Sequence, residues 1–344
     1  MSPTAPKNLL FIGAGASFGA RTVGTDQQTP PLGIDLLHFL RTNTAELGKR
    51  VLTSSHIACS YVLQEATRIL AAQITEPSFE KFLPLLEPDQ REYIHRAIQF
   101  LFSDLKPEID LDLGFARYED GYDQLITKAG IRPGAWAVIS LNYDLLLEDA
   151  LTRLGVPFYY PAFPFGVNGA APKDSLAVYK PHGSINFFAQ PDHQIRFGGL
   201  PEIGAATTHY RNGEGGLRPN YPIVIAGMGG PANVIGRVSQ QNTYPVIANY
   251  TAGKDVDVNQ PALVQVRREA IDAAGADSSL LMVGVNPVID RTDDPFCAEL
   301  LSLKFSSMTC VGMGLEFAEL VREHFPSATI FSEGFAKYLA AISR

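Results

Sequence analysis

The first clear pattern along the chain is a short apolar run, Leu9 to Ile12, that stops at Gly13-Ala14-Gly15. A run of this kind bounded by glycine predicts a buried strand entering a tight turn. A polar, proline-containing loop follows from Gly24 to Pro31. From Ile34 to about Leu125 apolar residues recur at spacings of three and four. Examples are Leu36, Leu37, Phe39 and Leu40, then Tyr61, Leu63, Ile69 and Leu70, then Ile94, Ile98, Phe100 and Leu101. That period belongs to helices with one buried face, and it predicts a helical insert over about 34–130.

Strand-loop-helix units then resume. Trp136 to Ser140 reads as a strand ending at Asn142-Tyr143-Asp144, and Leu145 to Leu154 as the helix after it. Ala177 to Lys180 is a strand running into Pro181-His182-Gly183-Ser184. After a helix at Ala262 to Ala274, the strand Ser279 to Val285 ends in Gly284-Val285-Asn286-Pro287. Helical Cys297 to Leu303, strand-like Met308 to Val311, helical Leu315 to His324, strand-like Ala328 to Phe331 and helical Phe335 to Ile342 complete the pattern. Such alternation predicts the α/β class, with a Rossmann-like, mostly parallel sheet and helices on both faces. Between about Pro201 and Pro261 the chain is rich in Gly, Pro, Asn and Gln, with one strand candidate at Ile223 to Ala226. Irregular segments of this length in compact proteins are usually functional, so about 200–260 is a candidate lid.

Composition narrows the function. Hydrophobic residues at 46% and charged residues at 19% fit a folded globular chain rather than a disordered one. Lysine and arginine number 28 against 36 aspartate and glutamate, a formal charge of −8 that disfavours direct nucleic-acid binding. Cys59, Cys297 and Cys310 are scattered and form no CxxC, which suits a reducing cytoplasm and argues against a cysteine zinc site. The apolar stretch Asn8 to Ile12 is too short for a signal-peptide core, and no run approaches the roughly 20 residues that span a bilayer. A soluble, cytoplasmic protein is expected.

The turn after the first strand has the spacing GxGxxxG, meeting the dinucleotide fingerprint only in part. An acidic ribose partner is expected about 20 residues later at a strand end, whereas Asp35 sits at a helix start, so an ordinary dehydrogenase fits poorly. The turn reads either as a pyrophosphate site or as a tight strand-helix turn. Asn142 and Asp144 read either as helix caps or as ligand-facing groups, because strand carboxyl ends in open α/β sheets line the ligand crevice. His182, between Pro181 and Gly183, is structural or a proton acceptor near neutral pH. Gly284 and Asn286 follow another strand and mark either the adenosine side of the crevice or a simple turn. Glu148 and Asp149 read as a solvated helix face, Tyr143 as core, and Phe187 and Phe188 as pointing to opposite faces of a strand.

Taken in order, GAGAS at 13–17, LNYD at 141–144, KPHGS at 180–184 and VGVNPVID at 283–290 resemble the Sir2-like family, and more closely its bacterial branch of NAD-consuming antiphage defence proteins. The resemblance covers the nucleotide-binding core and treats residues 1–344 as one domain with an insert. It implies that Gly13, Ala14, Gly15 and Ser17 contact phosphate and ribose, and that Gly284 and Asn286 line the adenosine side. It also implies that Asn142 positions the ribose and an attacking water, that Asp144 holds the nicotinamide carboxamide, and that His182 is the general base. The activity implied is hydrolysis of NAD, as substrate, to nicotinamide and ADP-ribose without a metal. Homo-oligomerisation and a partner ATPase or Argonaute-type protein are implied with it. The alternatives are a non-catalytic NAD-binding subunit and an NAD-dependent deacylase or ADP-ribosyltransferase. Three departures stand out: the cysteines for a zinc ribbon are missing, Asn286 replaces Ser or Thr, and Leu141 precedes Asn142 where Thr or Gln is commoner.

Overall fold

A computed structural model describes residues 6–22, 30–32, 35–52, 57–72, 79–104, 109–110, 115–116, 121–161, 174–189, 208–211, 217–220, 223–225, 244–247, 260–275, 277–286 and 294–342. Two compact units are built from interleaved segments. The first comprises Met1–Leu32, Leu105–Pro181 and Gln265–Arg344, the second Gly33–Asp104 and His182–Val264.

The first unit is organised on a seven-stranded sheet. Its strands are β1 (Asn8–Ile12), β2 (Trp136–Ser140), β3 (Phe158–Tyr159), β4 (Leu176–Tyr179), β5 (Ser279–Val283), β6 (Ser307–Val311) and β7 (Thr329–Phe331). Their order is β7-β6-β5-β1-β2-β4-β3, and every pairing is parallel. Leu9, Leu10, Phe11 and Ile12 are all fully buried. Successive strand residues point to opposite faces, so burial of four in a row means that both faces of β1 are covered. Exposure rises toward the edge strands β3 and β7. The Rossmann-like α/β class expected from the alternation is therefore the observed one.

Register brings three strand ends level. Ile12 pairs with Val283 on one side and Ser140 on the other. The next residues continue the ladder, with the Gly13 amide donating to the Val283 carbonyl at 3.1 Å and the Leu141 amide to the Ile12 carbonyl at 2.9 Å. The strand order reverses between β1 and β5, which is where open α/β sheets place their ligands.

Glycine at that reversal is a packing requirement. A Cβ on Gly13 would sit 2.7 Å from the Gly284 carbonyl oxygen, and one on Gly15 would sit 2.9 Å from the Gly284 Cα. Gly284 itself has φ +65°, and a Cβ there would fall 1.9 Å from the Ala16 nitrogen.

In the second unit, the helices Leu36–Leu52, Ile57–Ala72 and Pro88–Asp104 pack on one another through Leu37, Leu40, Leu63, Ile94 and Ile98, all buried. Gly183–Ala189 is the central strand of a three-stranded antiparallel sheet with Ile223–Ile225 and Tyr244–Ile247. The Gln99 amide nitrogen donates to the Ile185 carbonyl at 3.0 Å and ties helix to sheet.

The helical stretch expected over about 34–130 thus serves two cores. Its helices up to Asp104 belong to the second unit, whereas Gly121–Lys128 belongs to the first. Period identifies a buried face but not the core that face meets. In the segment read as irregular, Thr208–Arg211 pairs with Leu217–Asn220, and Tyr244–Ile247 is a strand in addition to the expected Ile223 strand. The rest of the candidate lid at 200–260 lies almost wholly outside the described residues.

Gly284→Ala is expected to destabilise the protein by at least about 2 kcal/mol, because it combines a positive φ with overpacking against backbone. Urea unfolding measures this, and a midpoint matching wild type would refute the packing role assigned to Gly284.

Candidate functional site

The carboxyl ends of β1, β2 and β5 gather most of the residues singled out in the sequence. Gly13 ends β1, and α1 (Ala14–Thr22) starts at once, placing Ser17 in its first turn. Two amides at this helix start bond inside the protein, the Gly15 amide to the Gly284 carbonyl at 3.0 Å and the Ala16 amide to the Gly13 carbonyl at 2.9 Å. The glycine turn is therefore at least as much a strand-packing device as a phosphate cradle. Asn286 lies just beyond β5, and residues 287–290 of its motif lie outside the described residues. His182 falls in the second unit, half-buried in the turn that precedes the Gly183–Ala189 strand.

Asn142 is the centre of a buried polar network. Its backbone amide bonds the Ser140 hydroxyl at 3.3 Å, at the end of β2. Its side-chain nitrogen Nδ2 donates to Ser17 Oγ at 2.8 Å and to the Tyr122 hydroxyl at 3.3 Å. Ser17 Oγ and the Tyr122 hydroxyl are 2.9 Å apart, and both residues are fully buried. Asn142 Oδ1 is buried with no hydrogen-bond partner among the described residues. An orphaned buried acceptor costs roughly 1–3 kcal/mol, and such groups concentrate where a ligand completes them.

Asp144 sits two residues on. Its Oδ1 accepts from the Leu146 amide at 3.1 Å, at the first residue of α3 (Leu146–Arg153), although the N-cap position itself is Leu145 and carries no side-chain cap bond. Burial raises its carboxyl above the ordinary carboxylate range and Glu148 raises it further, while Lys180, the Leu146 amide and a hydrogen bond from Ser17 pull it down. Asp144 thus satisfies the first amide of α3 and is a desolvated acid two residues from Asn142.

Beneath Asp144 lies an ion pair that the sequence reading missed. Lys180, at the end of β4, is fully buried, donates to the Asp144 carbonyl at 2.8 Å and pairs with Glu148 Oε1 at 3.1 Å. The Tyr160 hydroxyl donates to the same Glu148 oxygen at 3.2 Å. Glu148 was read as solvated, and it is fully buried. The correcting signal was present: Leu147, Glu148 and Leu151 follow the i, i+1, i+4 spacing of one inward stripe. Phe187 is buried as core, and Tyr143 is only half-buried.

Tyr122 was also missed. It is the second residue of α2 (Gly121–Lys128), and a Cβ on Gly121 would lie 2.6 Å from the Ala20 Cα. Glycine lets α2 approach α1 closely at Ala20, one turn from Ser17, which brings the phenol to Ser17. Arg153 holds Asp123 at 3.0 Å and fastens α2 to α3. No local pattern around 121 announces this, because the contact is tertiary. An open cavity of about 630 Å³, lined by Asn8, Arg132, Ala135, Trp136, Leu154 and Val156, lies at the amino ends of β1 and β2, away from this chemistry.

Comparison with known proteins adds the following. Residues 137–196 match the family model of a SIR2-like domain, a span that holds Asn142, Asp144, Lys180 and His182 but not the glycine turn. No curated protein matches the chain. Among solved structures, a mutant Sir2 homologue in complex with ADP-ribose is similar at 11% identity and a TM-score of 0.41, covering 98% of this chain and 90% of that one. A Sir2 homologue in complex with NAD is similar at 12% identity and a TM-score of 0.40, covering 98% and 88%.

Two outcomes are expected. Lys180→Met strands the Glu148 charge and should destabilise by about 3–5 kcal/mol, whereas Lys180→Met with Glu148→Leu should recover much of that loss. Equal losses in the single and double variants, by urea unfolding, would show that the pair is uncoupled. The second concerns Asp144, whose folded carboxyl holds its proton to higher pH than the unfolded one. Its contribution to stability is fully present below the unfolded value near 3.8 and declines as pH rises toward the raised folded value. Asp144→Asn should therefore gain stability relative to wild type as pH rises from about 4, and a pH-independent difference would contradict the raised carboxyl.

Proposed function

We propose that the protein hydrolyses NAD to nicotinamide and ADP-ribose. The observation that carries the reading is the Asn142 side chain, whose Nδ2 is fixed by Ser17 and Tyr122 while its buried acceptor Oδ1 has no partner among the described residues. It stands at the carboxyl edge of the central strands, beside the desolvated Asp144. A fixed acceptor in that place suits the hydroxyl of a ribose or an attacking water. The sequence resemblance and the family match over residues 137–196 supply the ligand class.

In the reaction the bond between ribose C1′ and the nicotinamide nitrogen breaks, and its electron pair neutralises the cationic ring. A water oxygen bonds C1′, and its proton leaves to a base. Nicotinamide departs as a neutral molecule, so positioning rather than acid catalysis or a metal supplies the rate. Asn142 orients the water and ribose, Asp144 receives the carboxamide, and His182 takes the proton. These roles, and those of Gly13, Ala14, Gly15 and Ser17 toward phosphate and ribose and of Gly284 and Asn286 toward adenosine, rest on the resemblance.

An unrestrained NAD hydrolase would drain its cell of cofactor. The proposal therefore includes a regulated effector of antiphage defence, weakly active alone and released by self-assembly or by a partner ATPase or Argonaute-type protein, on analogy with the family it resembles.

Nicotinamide release by purified protein at several concentrations, without acyl peptide, tests this. Wild type should release nicotinamide more than proportionally as its concentration rises, and Asn142→Ala and His182→Ala should each lose about 10²- to 10⁴-fold. Tight NAD binding without release would support a non-catalytic binding subunit instead. Release only with an acylated peptide would support a deacylase.

A further inference from the structure

We infer that Tyr122 is a positioning residue that locks the Asn142 carboxamide in one of its two orientations, an inference that rests on the reading of Asn142 as the ribose- and water-orienting group. The two orientations of an asparagine amide differ by exchanging donor and acceptor, so the surrounding protons decide between them. Here Ser17 Oγ and the Tyr122 hydroxyl bond each other at 2.9 Å, so one of their two protons is spent between them. Each oxygen keeps a lone pair to turn toward Asn142. Both accept from Nδ2, at 2.8 Å and 3.3 Å. A flipped amide would exchange these two bonds for at most one, because only a single hydroxyl proton remains to meet Oδ1.

The lock has a second consequence. Oδ1 is fixed on the side with no partner among the described residues, so the acceptor is available before any ligand arrives. Without the phenol hydroxyl, Nδ2 keeps one acceptor and the Ser17 proton is free to meet Oδ1 instead, so the flipped orientation competes on equal terms. The ring of Tyr122 packs against Phe335 with centroids 6.3 Å apart, a contact that phenylalanine would keep. Tyr122→Phe therefore isolates the hydroxyl from the packing.

The test compares wild type, Tyr122→Phe and, as an assignment control, Asn142→Asp. Protein carrying ¹⁵N-labelled asparagine gives the Asn142 side-chain amide signal, which the control lacks. In wild type its hydrogens should exchange slowly, and in Tyr122→Phe at least tenfold faster. Thermal unfolding should shift by only a few degrees. Nicotinamide release by Tyr122→Phe should show kcat lowered tenfold or more with KM for NAD within twofold. Unchanged amide exchange in folded Tyr122→Phe would overturn the lock, and faster exchange with unchanged kcat would overturn its role in positioning. If wild type releases no nicotinamide, the hydrolase reading fails by itself, and the amide exchange still decides for or against the lock.

Discussion

The arrangement at the carboxyl edge of the sheet depends on one backbone contact, that of Gly13 and Gly15 with Gly284. Side chains at these positions would meet main-chain atoms at 1.9 to 2.9 Å. With only hydrogens there, β1 and β5 run level to their ends and α1 starts directly after Gly13. Ser17 then falls beside the end of β2. A second close approach, Gly121 against Ala20, brings Tyr122 to the same point. Asn142 is held because α1 brings Ser17, α2 brings Tyr122 and the end of β2 brings Ser140 within hydrogen-bonding distance of it.

That convergence carries several polar groups into an apolar core. Lys180, Glu148, Asp144, Asn142 and Ser17 are all buried in the first unit. Pairing and hydrogen bonding satisfy most of their atoms, which keeps such a network tolerable in a low dielectric. Two acceptors, Asn142 Oδ1 and Glu148 Oε2, stay unmet among the described residues. They differ in setting. Glu148 faces the ion pair beneath the loop, whereas Asn142 belongs to the loop at the strand ends, where a ligand has access to open α/β sheets. Stability given up at Asn142 and Asp144 is the expected signature of a site shaped for binding.

Much of this was legible in the sequence because strands and helices announce themselves by period. Trp136–Ser140 and Leu315–His324 coincide with the expected bounds, and most other elements of the first unit differ by one or two residues. Asn142, Asp144, Gly13, Ser17 and Gly284 do meet at one edge, since strand ends in a parallel sheet must. Tyr122 and Lys180 escaped because their roles come from contacts between segments far apart in the chain. Glu148 escaped because a carboxylate was read by its charge while its position on the helix placed it inward. The added strands at 208–211, 217–220 and 244–247 escaped because glycine and proline content masks short pairings.

The central claim is that this edge of the sheet cleaves NAD by water, and the most direct measurement is the product balance. Proton NMR of NAD incubated with wild-type protein at a concentration favouring assembly follows substrate and products together. The account predicts that NAD disappears with nicotinamide and ADP-ribose rising in equal amounts. NAD that binds yet stays intact, or nicotinamide that rises without matching ADP-ribose, would contradict it.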